Sequence, residues 1–203
     1  ADMAFANKSK DVKSVTIGEN VKSIGARAFY NCSNMETITF KSDSVTSFGA
    51  YAFQGCRELK TFKFPANVTA IPNYMFTYCR SLETIEFNSV ITSIGEKAFG
   101  DCEKLNNVVL PDTVTSIGKE AFVNNKALTN IDLGENLQTV SEYAFLNCEN
   151  LTTVTFGSKI KSIDKYAFSK CIALTSIDLP DTVETLGEGA FHSCAALDTV
   201  DLS

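Results

Sequence analysis

A phenylalanine returns along this chain at intervals of 24, 24 and then 23 residues throughout, at Phe5, Phe29, Phe53, Phe76, Phe99, Phe122, Phe145, Phe168 and Phe191. Alanine precedes it at Ala4, Ala28, Ala52, Ala98, Ala121, Ala144, Ala167 and Ala190, so successive modules align without gaps. A fixed period of about 20–29 residues restricts the chain to a stacked-repeat solenoid. A unit of that size cannot bury its own apolar face and becomes stable only against its neighbours.

Residues 114–180 supply the register. Val114-Thr115-Ser116-Ile117-Gly118 opens a unit, Ala121-Phe122 follows, and then come Leu128 and the alternation Ile131-Asp132-Leu133. The next unit answers with Leu137, Val140, Ala144-Phe145, Cys148, Leu151, Val154 and Phe156. Alternation of the Ile131-x-Leu133 kind marks a short strand with one buried face. The spacing by three of Phe145, Cys148 and Leu151 places them on one face of a 3₁₀ or short α turn. Gly25, Gly49, Gly95, Gly118 and Gly187 share a corner where a positive φ would reverse the chain. Pro65, Pro111 and Pro180 each follow a strand, where a missing N–H ends the ladder.

Each coil is therefore expected to run strand, turn, second short extended segment, helical turn and back. The fold class that follows is an α/β repeat solenoid: a curved, right-handed superhelix with a parallel β-sheet on its concave face and short helical turns on its convex side. About nine strands at roughly 4.8 Å spacing make a sheet about 38 Å long. The whole of residues 1–203 reads as one elongated domain. The chain begins inside a repeat and stops on a strand without polar capping units, which reads as a fragment of a longer protein.

The motif Leu-x-x-Ile-x-Leu-Pro-x-x-Val-x-x-Ile-Gly-x-x-Ala-Phe-x-x-Cys resembles the BspA-like leucine-rich repeats, the Treponema pallidum class. Leu105, Val108, Leu110, Pro111, Val114, Ile117, Gly118, Ala121 and Phe122 meet it almost letter for letter, with Asn125 in the cysteine place. The likeness covers essentially the whole chain. It implies a bacterial cell-surface or secreted protein, several relatives of which act as adhesins for host matrix proteins. The expected partner is accordingly a host matrix or cell-surface protein, or a glycoconjugate. Two alternatives stand beside this reading: a passive spacer holding another domain off the surface, and an accessory repeat region of a larger surface enzyme.

The seven cysteines, Cys32, Cys56, Cys79, Cys102, Cys148, Cys171 and Cys194, all lie three residues after the repeat phenylalanine, with Lys8 and Asn125 in the remaining slots. They are expected to form a buried, reduced row whose thiols donate weakly to the backbone. On the thicker convex side their separation should exceed the roughly 4.4–6.8 Å between Cα atoms that a disulfide allows. Ligands 23 residues apart on a rigid ladder lack the paired spacing of a zinc site. No cofactor or metal is expected, and no catalytic set. The one histidine, His192, has only its neighbour Ser193 as a nucleophile at hand. Sequons occur at Asn7, Asn31, Asn67 and Asn150, as chance allows in so Asn/Thr/Ser-rich a repeat. No apolar run approaches the roughly 20 residues of a membrane span.

A binding surface must then be sought among outward strand positions. One column reads Thr16, Thr39, Lys63, Glu86, Val109, Asp132, Thr155, Asp178 and Asp201. Beside it runs Ser14, Thr37, Thr61, Thr84, Asn107, Asn130, Thr153, Ser176 and Thr199. Tyr51, Tyr74, Tyr143 and Tyr166, each two residues before the phenylalanine, make an alternative strip on the rim or convex turn. Residues 1–80 carry a net charge of +4 and residues 81–203 a net −10, with Asp132, Asp178, Asp198 and Asp201 gathering on the concave face. Overall acidity excludes a nucleic-acid stripe. The asymmetry suggests weak, salt-sensitive head-to-tail association between copies.

Overall fold

The computed structural model describes residues 2–5 and 11–201; Asn7, Lys8 and the side chain of Asp201 lie outside the described residues. Among the described residues each of coils 1 to 8 contributes a long strand and a short one, and coil 9 a long strand. The long strands are β1 (Ser14–Ile17), β3 (Thr37–Phe40), β5 (Thr61–Lys63), β7 (Thr84–Glu86), β9 (Asn107–Val109), β11 (Asn130–Asp132), β13 (Thr153–Thr155), β15 (Ser176–Asp178) and β17 (Thr199–Asp201). The short strands are β2 (Ser23–Ile24), β4 (Ser47–Phe48), β6 (Ala70–Ile71), β8 (Ser93–Ile94), β10 (Ser116–Ile117), β12 (Thr139–Val140), β14 (Ser162–Ile163) and β16 (Thr185–Leu186). Coil 1 opens with β1, coil 2 with β3, and so on to coil 9. All pairing is parallel and between neighbouring coils, with Asn130 beside Asn107 and Thr153, for example.

The expected helical turns do not form, so the α/β class is corrected to an all-β solenoid among the described residues. The reason lies in alternate backbone amides around the phenylalanine. Glu120, Phe122 and Asn124 donate their N–H groups to Glu142, Ala144 and Leu146 of the next coil, at 3.1, 2.8 and 2.9 Å. The intervening Ala121 and Val123 close tight turns onto Gly118 and Glu120 at 3.2 and 3.1 Å. An α-helix would spend all these donors four residues back along its own chain. Aiming every second one at the next coil requires left-handed residues in between, and Glu120 (φ 58°) and Asn124 (φ 60°) supply them. The same two positions are left-handed in every coil from Arg27 and Asn31 to Gly189 and Ser193. Rings in the phenylalanine column stack 5.0–5.6 Å apart, against about 4.8 Å between paired strands.

The corner glycines are corrected too. Gly49, Gly95, Gly118 and Gly187 are absent from the left-handed region. They are small because coils approach closely: a Cβ on Gly118 would stand 2.4 Å from the Glu96 nitrogen.

The two ladders are not continuous. The long strands pair as β1-β3, β5-β7, β9-β11-β13 and β15-β17, and the short ones as β2-β4, β6-β8-β10 and β12-β14-β16. Four of the five interruptions coincide with the chain's four prolines. Where β1 meets β3, the amide of Lys41 donates to Ile17 O at 3.0 Å. Pro65, Pro111 and Pro180 occupy that place after β5, β9 and β15, and the ladder parts before each of those strands. On the short ladder Gly49 and Gly95 donate to Ile24 O and Ile71 O, both at 2.8 Å. Pro72 cannot, and β4 and β6 part. At the fifth break, between β10 and β12, the Ser141 hydroxyl donates to Ile117 O at 2.6 Å.

Inside, the phenylalanines stack from Phe5 to Phe191 with ring planes within 2–11° of parallel. The cysteines are free and, Cys194 apart, buried. Each thiol after Cys32 donates to the phenylalanine carbonyl of the preceding coil, as Cys148 does to Phe122 O at 3.3 Å. Coils about 5 Å apart would not by separation alone forbid a bridge; the thiols are instead engaged with the backbone. Burial pushes Cys32 up to about 11 and Cys148 up to about 12. Their neutral form therefore stabilises the fold fully below the unfolded value of about 8.5, and that contribution is lost as pH climbs towards 11–12. At pH 8 a thiol reagent should label half-exposed Cys194 first, the buried thiols slowly, and all seven only after denaturation. A native mass showing disulfides would contradict this.

Asn125 stands in the same column, fully buried, and its amide donates at 3.0 Å to both Phe99 O and Phe122 O. Its Oδ1 has no partner. Asn125→Cys should raise the melting temperature, because an orphaned buried acceptor costs about 1–3 kcal/mol. A melting temperature lowered by this change would show the two amide bonds to be worth more than the orphan costs.

Candidate functional site

Strand alternation turns the flanks of each long strand outward, while Phe62, Val108, Ile131 and Ile177 between them are buried and Val15, Ile38, Ile85 and Val154 half-buried. Thr61, Lys63, Thr84, Glu86, Asn107, Val109, Asn130, Thr153, Thr155, Ser176 and Asp178 are all exposed, and Asp132 is half-buried. The pairing brings them into the two expected columns along one face, with interruptions where the ladder breaks. Only the backbone of Asp201 is placed, beside Asp178.

The charges on this face are largely taken up. Lys63 and Glu86 pair at 3.1 Å, an exposed contact worth little in stability. Asp132 accepts the amide of Gly134 at 3.0 Å, and Asp198 accepts the Thr199 hydroxyl at 3.1 Å. Thr155 lies between Asp132 and Asp178 in the column, so the aspartates do not gather into one cluster there. Val109, 58% exposed, is the bare apolar spot.

What sequence reasoning missed is the relief of the face. Each break in the long ladder opens a cleft. Between β3 and β5 it holds 420 Å³ and is lined by Ile38, Phe40, Lys63 and Pro65 among others. Between β7 and β9 it holds 410 Å³, lined by Thr84, Phe87, Asn107, Val109 and Pro111. Between β13 and β15 it holds 310 Å³, lined by Val154, Thr155, Phe156, Asp178 and Pro180. Phe40, Phe87 and Phe156, on the near side of each cleft, are half-buried, whereas Phe64, Leu110, Leu133 and Leu179 at the same position are buried. The prolines were the available signal, for a residue without N–H cannot complete the ladder.

The tyrosines do not form one strip. Tyr51 stacks on Tyr74 at 4.9 Å and Tyr143 on Tyr166 at 5.6 Å. Lys97 and Glu120 occupy the intervening coils and pair at 3.7 Å. All four rings are half-buried and already partnered. Arg27 lies 4.4 Å over Tyr51, Lys119 lies 5.2 Å over Tyr143, and the Tyr74 and Tyr166 hydroxyls donate to Glu96 and Glu188. The bond to Glu96 pushes the Tyr74 hydroxyl up to about 12. Gly189 must stay small here, since a Cβ would stand 2.4 Å from the Tyr166 ring.

His192 Nδ1 lies 3.0 Å from Ser193 Oγ, and its ring meets the edge of Tyr166 at 5.8 Å. No carboxylate is hydrogen-bonded to that ring among the described residues, so nothing orients it as a general base.

A family model described as BspA type leucine rich repeat region matches in six copies, over residues 1–129 and 92–203. A leucine-rich repeat protein from Bacteroides ovatus is similar at 31% identity and a TM-score of 0.74, over 93% of this chain and 54% of its own. This chain thus spans about half the length of that relative. The T. pallidum leucine rich repeat protein is similar at 24% identity and a TM-score of 0.73, over 92% of this chain and 78% of its own. A leucine rich cell surface protein from Faecalibacterium prausnitzii shares the fold at 24% identity and a TM-score of 0.53, over 98% of this chain and 81% of its own. A search among curated protein sequences finds no match.

Proposed function

Because the chain belongs to the BspA-type leucine-rich-repeat family, we propose that it is a non-enzymatic protein-binding module of a bacterial cell-surface or secreted protein. Its ligand is a host or neighbouring-cell macromolecule held on the long-strand face. One observation carries this reading: Lys63, Thr84, Asn107, Val109, Thr155 and Asp178 all line the three clefts of that face. Clefts that mix half-buried phenylalanine with exposed amide, hydroxyl and charge offer the apolar centre and polar rim of a protein-recognition surface. The tyrosine pairs, already satisfied within the chain, offer less. Surface placement is supported by the fold shared with the Faecalibacterium prausnitzii protein, which is described as a cell surface protein.

A screen of the chain against matrix proteins, mucins and glycans would identify the ligand. The variant Glu86→Ala/Asp132→Ala/Asp178→Ala should then weaken binding. The changes at exposed Glu86 and Asp178 should each shift stability by less than about 0.5 kcal/mol, and that at half-buried Asp132 by about 0.5–1.5 kcal/mol for the lost Gly134 bond. Binding that survives this change, but is lost on replacing Tyr51, Tyr74, Tyr143 and Tyr166, would move the site to the turn side. Absence of any ligand would favour the spacer.

A further inference from the structure

We propose that the boundary between coils 2 and 3 is a hinge built into the solenoid, on which the first two coils open as a unit while the rest stays folded. This does not depend on where the ligand binds. It rests on a coincidence found at no other boundary among the described residues: the long ladder parts between β3 and β5 at the place where the short ladder parts between β4 and β6. Coil 3 carries both of the responsible prolines, Pro65 and Pro72.

What still crosses the boundary lies mostly to one side. On the turn side Tyr51, Phe53 and Gly55 donate to Asn73 O, Met75 O and Thr77 O at 3.1, 3.0 and 2.8 Å. On the two strand sides the ladders are unzipped, and a 420 Å³ cleft already stands at the long one. There, among the described residues, only Asp43 bridges the gap, its Oδ1 accepting the Ala66 N–H at 2.8 Å and its carbonyl the Asn67 side-chain amide at 2.9 Å. Ser81 and Glu83 add bonds to Arg57 O and Lys60 O at 3.1 and 2.8 Å, ahead of the long strands. Main-chain bonds gathered away from both parted ladders, with Asp43 alone spanning the long one, give the geometry of a hinge whose axis follows the turns. The loop between β3 and β4 also carries the residue that lengthens the Phe29-to-Phe53 interval to 24.

Side chains hold the hinge shut. Phe40 and Phe48 of coil 2 meet Phe62 of coil 3 at 5.8 and 5.9 Å, and Phe48 meets Phe64 at 6.1 Å. All three contacts are edge-on, a favourable arrangement for aromatic pairs. Opening would uncover Phe48, Phe62 and Phe64, which are 8, 2 and 2% exposed in the closed form. The open form is therefore a minor state, maintained by missing backbone bonds and limited by aromatic ones.

Native-state hydrogen exchange of the full chain, read by mass spectrometry, tests this. Two coils parted from coil 3 lose the neighbour that holds them folded, so amides bonded within them, those of Lys41 and Thr46, should exchange at least about tenfold faster than those of Thr129 and Thr152. Fraying of a chain end would give the same ordering, so the donors must be restored. In Pro65→Lys/Pro72→Gly, which copies the residues that bond at Lys41 and Gly49, exchange in coils 1 and 2 should slow several-fold and that in coils 8 and 9 should not. Phe48→Ile, the residue at Ile24, Ile71, Ile94 and Ile117, should speed exchange in coils 1 and 2 alone. The proposal fails if those coils exchange only with the whole array. It fails equally if the restored donors leave their exchange unchanged, or, should that variant not fold, if Phe48→Ile does so.

Discussion

Phe122→Ala should destabilise the array by about 3–5 kcal/mol, the usual cost of removing a buried aromatic ring. Phe122 is wholly buried, with the rings of Phe99 and Phe145 stacked at 5.2 and 5.3 Å on either face. Its loss leaves a void between two coils, and the parallel stack gives the neighbouring rings no room to tilt into it. Because each coil is held only by its neighbours, the lesion should also divide the melting transition, with the blocks on either side unfolding separately. Calorimetry of the variant would show a broadened or double peak. An unchanged melting curve would mean that the phenylalanine column does not hold the array together.

Phe62→Ala should cost as much and have a different consequence. Phe62 meets Phe40, Phe48, Phe53, Phe64 and Phe76 at centroid distances of 4.8–5.9 Å. It is the centre of the aromatic cluster across the one boundary where both ladders are broken. With about 3–5 kcal/mol removed there, little but the turn-side bonds and the exposed Asp43 bridge joins coils 1 and 2 to the rest, and they should melt first and alone. Phe62→Ile, the residue at Ile131 and Ile177, should lose less, since a hydrophobic replacement of nearer volume usually costs under about 1.5 kcal/mol. Chemical denaturation followed by hydrogen exchange distinguishes the two variants. A single cooperative transition in Phe62→Ala would mean that backbone contacts outside the ladders carry the boundary.

The helical turns were misread for a definite reason. Apolar residues spaced by three, as in Phe145, Cys148 and Leu151, suit one face of a helical turn and equally a stack of tight turns. The difference is made by where the intervening amides point, and those of Tyr143, Phe145 and Asn147 point to the next coil. Asn31, Gly55, Asp101, Asn124 and Asn147, recurring two residues after the phenylalanine, were the signal, since such residues tolerate the left-handed region. The matching position before the phenylalanine carried no such signal, being filled by Tyr51, Lys97 and Glu120.

The period, the strands, the buried column of phenylalanines and thiols, and the outward face from Lys63 to Asp178 were determined by the sequence alone. All of these repeat, and a repeated pattern reports the same environment in coil after coil. The tertiary structure alone decided which coils bond continuously and which part, and hence where the face is cleft. A proline removes its donor from the bond to the coil before it, some 23 residues away, so its effect becomes visible only when the coils are stacked.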